Sequence, residues 1–147
     1  MRRQGDKAAA KLAGVADSPG TQAVLAVDDE PDILEGFAML LEENLGVHVV
    51  TAPSGAAGLE ILARTPVDLV ISDYRMPGMD GCKFLESAHR LAPGVPLVMV
   101  TAYPDADVER RAGRIPVQGF LSKSLDPEEF VAQIRSALAG TPADAAA

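Results

Sequence analysis

AVLAVDDEPDILEGFAMLLEENLGVHVV, residues 23–50, is the stretch on which the fold turns. Ala23 to Val27 is a short, wholly apolar run of the kind that parallel sheets bury on both faces. Asp28, Asp29 and Glu30 interrupt it, and Pro31 suits the first turn of a helix, where its missing N–H would have had no partner. From there Ile33, Leu34, Phe37, Ala38, Leu40, Leu41 and Leu45 recur at helical spacing as one apolar stripe, closed by Gly46. Val47 to Val50 then read as a second strand, so the segment is a strand, a helix and a strand in succession.

Working outward, the alternation continues. Val67 to Ser72, Val95 to Val100 and Val117 to Leu121 read as three further strands. Helices are expected at Ser54 to Arg64, Gly81 to Leu91, about Pro104 to Ala112, and Asp126 to Leu138, where Phe130, Val131, Ile134, Ala137 and Leu138 share a face. Strict alternation of strand and helix demands right-handed crossovers, which gives an α/β domain: a doubly wound, five-stranded parallel sheet covered on both faces by five helices. Such sheets bind ligands beyond the carboxyl ends of their strands, so the residues just after each strand should carry the chemistry.

The whole chain has 147 residues, 48% hydrophobic and 23% charged, which suits one ordinary globular domain. Residues 1–20 lack a sustained apolar face and are expected to be a loose extension; 21–139 form the domain, and 140–147 a disordered tail too short for a second one. The net charge is −8, and the first twenty residues hold four basic and two acidic side chains, so the remainder carries about −10. That charge argues against nucleic acid as a direct partner. The single cysteine, Cys82, excludes an intrachain disulfide and any Cys-x-x-Cys metal site. No apolar run approaches the roughly 20 residues that span a bilayer, and Asp6, Lys7 and Lys11 interrupt any signal core, so a cytoplasmic, stand-alone domain is expected.

At the strand ends stand Asp28 and Asp29 after the first, Asp73 after the third, Thr101 after the fourth, and Lys123 two residues after the fifth. Any one of them is explained as a helix cap. Together they place three carboxylates close enough to repel, and one lysine is insufficient compensation, so a divalent cation is implied. Oxygen ligands without His or Cys suit a hard ion, and Mg²⁺, which keeps several waters, fits a shallow cluster.

These residues resemble the receiver domain of two-component response regulators over residues 22–139. The matching features are Val27-Asp28-Asp29-Glu30-Pro31, Ser72-Asp73-Tyr74-Arg75-Met76-Pro77-Gly78-Met79-Asp80-Gly81, Val100-Thr101-Ala102 and Gly119-Phe120-Leu121-Ser122-Lys123. The resemblance implies the flavodoxin-like strand order 2-1-3-4-5. It also implies that Asp73 accepts a phosphoryl group from a histidine kinase or phosphotransfer protein, without the domain being an enzyme in the usual sense. Asp28, Asp29, Asp73 and the backbone carbonyl of Arg75 become the Mg²⁺ ligands, and Thr101 and Lys123 the contacts to the phosphoryl oxygens. Phe120 becomes the aromatic switch that follows Thr101, coupling the site to the surface formed by the fourth helix, fifth strand and fifth helix, where a downstream protein would bind.

One departure stands out: Ser124 follows Lys123 where the family usually has a proline after a cis peptide, and a cis Lys–Ser bond would cost roughly 2.5–4 kcal/mol. Arg75 and Tyr103 flank the route of water to an acyl phosphate and are expected to influence dephosphorylation. Arg110, Arg111 and Arg114 form a basic cluster on or after the fourth helix. A haloacid-dehalogenase-like phosphatase would need Asp-x-Asp after the first strand, whereas here Asp28 and Asp29 are adjacent and Glu30 follows. A receiver fold kept as a phosphorylation-independent interaction module is the other alternative, against which the full set of site residues argues.

Overall fold

The computed structural model describes residues 21–102 and 106–140 of the chain. Their elements are β1 Ala23–Val27, α1 Pro31–Leu45, β2 His48–Ala52, α2 Gly55–Arg64, β3 Leu69–Asp73, α3 Gly81–Leu91, β4 Leu97–Thr101, α4 Ala106–Ala112, β5 Val117–Ser122 and α5 Pro127–Leu138. All five strands are parallel, in the order β2-β1-β3-β4-β5. The order reverses beside β1, which puts the switch point, and the crevice it opens, at the carboxyl ends of β1 and β3.

Strand periodicity sorts the core into two layers. Val24, Ala26, Ile71, Val98 and Val100 point to the face covered by Leu34 and Leu41 of α1 and by Phe130, Ile134 and Ala137 of α5. Leu25, Val27, Val70, Leu97 and Met99 point to the other, covered by Leu62 of α2, Phe84, Leu85 and Ala88 of α3, and Val108 and Ala112 of α4. Phe84, Leu25, Leu41 and Ile134 are wholly buried, and each such side chain contributes roughly 1.5–3 kcal/mol. The expected stripe on α1 is present, with Gly46 ending the helix at φ 65°, a left-handed conformation that a β-carbon disfavours.

The boundaries correct the sequence reading in one systematic way. β3 and β4 begin about two residues later than expected, at Leu69 and Leu97, because Val67 and Val95 pack into the core from the preceding loops. Asp73 and Thr101 are therefore the last residues of their strands instead of the first beyond them. The fourth helix begins at Ala106 among the described residues; Pro104 lies outside them, as do the extension 1–20 and residues 141–147. Ser54 and Asp126 are caps instead of first helical residues, their side chains accepting from Ala57 N and Glu128 N.

The register of β5 holds one irregularity that the sequence did not signal. Val117 faces Leu97 and Gly119 faces Val98, so an extra residue is inserted at Gln118. The insertion resets the alternation: Val117 and Phe120, three residues apart, both turn to the face that carries α3 and α4.

Candidate functional site

Asp28 follows β1 and is fully buried. Its Oδ1 accepts from Glu30 N at 3.0 Å, a local turn that leads the chain into α1. Its Oδ2 lies 2.8 Å from Lys123 Nζ in an ion pair, yet has no well-oriented hydrogen-bond donor among the described residues. Asp73, 5% exposed, ends β3 with Oδ1 3.4 Å from the same ammonium. Asp29 is exposed beside them. Asp28, Asp29 and Asp73 can each present an oxygen within 4.8 Å of the others.

Lys123 reaches the cluster because the chain turns immediately after β5. Lys123 N donates to the carbonyl of Thr101 at 2.8 Å, continuing the ladder one residue past the strand, and Leu125 N donates to Ser122 O at 3.1 Å. Ser124 N donates to Ser122 Oγ at 3.1 Å, and the two hydroxyls are 2.7 Å apart. No cis peptide occurs among the described residues, so Lys123–Ser124 is trans, the geometry that serine favours. Glu30 Oε1, 3.8 Å from Nζ, is an outer neighbour that sequence reasoning did not place there.

The electrostatics follow from burial. Desolvation pushes the Asp73 carboxyl above the ordinary carboxylate value and the charge on Asp28 adds to this, while Lys123 opposes both. For Lys123 desolvation pulls downward, but the ion pair with Asp28 and the charge of Asp73 outweigh it, so the ammonium is held above its usual value. One half-buried lysine thus serves two buried carboxylates and leaves an excess of negative charge. Three convergent carboxylates, one with a buried oxygen short of a directed donor, fit a hard divalent cation.

Thr101, 1% exposed, ends β4 beside Asp73's strand. Arg75 is exposed in the loop after β3. Phe120 is half-buried and packs against the layer that includes Val108 and Ala112 of α4. Tyr103 lies outside the described residues. Gly81 closes the loop after β3: its N–H donates to Tyr74 O at 2.8 Å, and a β-carbon there would overlap the Asp73 carbonyl. The basic cluster expected from Arg110, Arg111 and Arg114 divides. Arg110 pairs with Asp107 on its own helix at 2.7 Å, while Arg111 turns to Tyr74 and Asp80. Cys82 is buried, and desolvation raises its thiol, as suits a small packing residue.

Among the described residues no helix is long and apolar enough to cross a membrane. The pattern of the response regulator receiver domain matches residues 24–135. The transcriptional regulatory protein GlrR of Escherichia coli (strain K12) is 41% identical over 118 residues, covering 78% of this chain and 26% of that protein. The chain therefore spans about a quarter of GlrR's length. An uncharacterized 14.6 kDa protein of Leptolyngbya boryana is 32% identical over 124 residues, 83% of this chain and 94% of that protein. The crystal structure of a CheY-like response regulator receiver domain protein from Methanospirillum hungatei JF-1 superposes with a TM-score of 0.78 at 27% identity, covering 82% of this chain and 96% of that one. With the strand order, the acidic crevice and the lysine beyond β5 already in place, the match over residues 24–135 settles the family: the chain belongs to the response regulator receiver domains of two-component systems.

Proposed function

We propose that this domain accepts a phosphoryl group on Asp73 from the phosphohistidine of a histidine kinase or phosphotransfer protein, and that the modification alters a surface read by a downstream protein. Receiver domains are signalling domains of this general kind, with an acidic pocket for Mg²⁺. The observation that carries the reading is the convergence of Asp28, Asp29 and Asp73 around a lysine ammonium at a sheet switch point.

In the transfer, an Asp73 oxygen forms a bond to phosphorus as the P–N bond breaks, and its electron pair returns to the imidazole. Mg²⁺ held by Asp28, Asp29, Asp73 and the backbone carbonyl of Arg75 would supply neutralisation of phosphoryl charge when bound. Lys123 and Thr101 provide an ammonium and a hydroxyl for the remaining phosphoryl oxygens. Lys123 would leave part of its contact with Asp28 to do so. Thr101 then draws on β4, and Phe120, on the face shared with α4, passes the change outward. Arg75 and Tyr103 would govern access of water to the acyl phosphate.

The net charge of −8 favours a protein output over direct contact with nucleic acid. The match covers 94% of the Leptolyngbya boryana protein and 26% of GlrR. The test is amide NMR with Mg²⁺ and beryllofluoride, a phosphoryl mimic. Shifts should run from Asp73 through Thr101 to Phe120 and α4 in the wild type and be blunted beyond residue 102 in Thr101→Ala. Asp29→Ala should weaken Mg²⁺. Shifts confined to the neighbours of Asp73, or an equal response in Thr101→Ala, would contradict the coupling.

A further inference from the structure

Arg111 is the last arginine of α4, and its guanidinium does not face solvent alone. Nη1 donates to the Tyr74 hydroxyl at 2.6 Å and Nη2 donates to Asp80 Oδ2 at 3.0 Å, while the guanidinium carbon lies 5.4 Å from the centre of the Tyr74 ring. Tyr74 and Asp80 are the first and last residues of the loop between Asp73 and α3. Asp80 is also the cap of α3, its Oδ1 accepting from Lys83 N at 2.9 Å. The loop ends are already drawn together by the Gly81 N–H on Tyr74 O. A planar fork that grips both ends from a third element is a geometry that lysine does not reproduce.

We propose that Arg111 is a positioning residue for the phosphorylation site: it clamps the 74–80 loop and thereby links the place of α4 to the readiness of that loop to hold Mg²⁺. The loop carries the Arg75 carbonyl and begins at Asp73, so the inference rests on the metal-site reading above. The α4 helix is anchored in the core by two buried residues, Val108 and Ala112, and Arg111 is its polar tie to the site. Linkage is reciprocal. Whatever displaces α4, including a partner on that surface, loosens the loop, and whatever orders the loop holds α4.

The experiment is an Mg²⁺ titration followed by amide NMR on the wild type, Arg111→Met, Arg111→Lys, Tyr74→Phe and, as a charge-matched control, Arg90→Met, whose arginine bonds Ser87 within α3 among the described residues. Arg111→Met should weaken Mg²⁺ about fivefold and confine the metal-induced shifts to residues before α4. Tyr74→Phe, which deletes one hydroxyl and threatens the fold least, should fall between it and the wild type. Arg111→Lys should restore little, and Arg90→Met should match the wild type. Wild-type affinity and wild-type spread of shifts in Arg111→Met would overturn the clamp, as would full rescue by lysine. A wild type that shows no Mg²⁺ response would remove the metal-site reading, and the clamp with it.

Discussion

Two helices pack against β5, and they are held by different means. The α5 helix has twelve residues, a capping Asp126, Pro127 in its first turn and four buried side chains, Phe130, Val131, Ile134 and Ala137. Phe130 also stacks on Phe37 of α1 with ring centres 5.1 Å apart. Among the described residues the α4 helix has seven, two of them buried, and a guanidinium bonded across to another loop. Apolar burial is non-directional and costly to undo, whereas two hydrogen bonds and a cation over a ring can be exchanged for water at small net cost. The packing of α5 is thus the costlier of the two to undo, and that of α4 the cheaper.

The largest effect should fall on the static side. Ile134→Ala removes a wholly buried side chain and should cost about 2–4 kcal/mol in denaturant unfolding, while leaving Mg²⁺ affinity in the surviving folded protein unchanged. A loss of metal affinity of the size expected for Arg111→Met would erase the contrast between the helices.

Next in size is a gain. Asp73 has its folded value raised, so the stability linked to it is present below the ordinary carboxylate value and is lost as pH rises through the folded value. Without metal at neutral pH the ionised group is a net burden. Asp73→Asn should therefore stabilise the domain by about 1 kcal/mol near neutrality, and the gain should vanish in acid. Equal stability of the two proteins at neutral pH would show that Lys123 already balances the buried charge.

The smallest effect belongs to the clamp. Desolvation of Asp80 acts upward but is outweighed by the Lys83 N–H and the Arg111 guanidinium, leaving its carboxyl below the usual value. Its contribution to stability is thus present above the ordinary carboxylate range and lost as pH falls through the folded value. Asp80→Asn keeps a capping residue and should flatten that acid limb by a few tenths of a kcal/mol, because both partners are partly solvated. An acid limb unchanged in the variant would mean that the ion pair adds nothing measurable to stability.

Much of this architecture was legible in the sequence because it rests on local pattern. Valine-rich runs and the 3.6-residue stripe of α1 identify the elements, and Asp28, Asp29, Asp73, Thr101 and Lys123 can be found by asking what ends each strand. The offset of β3 and β4 was not visible, since Val67 and Val95 are as apolar in a buried loop as in a strand. The insertion at Gln118 left no mark because Val117 to Leu121 reads equally well in either register, and it is this insertion that turns Phe120 toward α4. The bonds from Arg111 to Tyr74 and Asp80 join residues 37 and 31 positions apart, beyond the reach of any periodicity. Composition grouped Arg110, Arg111 and Arg114 as one patch, and only the fold separates Arg110 from Arg111.

The most direct measurement of the central claim is intact mass after incubation with acetyl phosphate, with and without Mg²⁺, for the wild type and Asp73→Asn. A gain of one phosphoryl group in the wild type that requires Mg²⁺ and is absent in Asp73→Asn is the predicted result. The same gain in Asp73→Asn, or none in the wild type with Mg²⁺ present, would contradict the assignment of Asp73 as the acceptor.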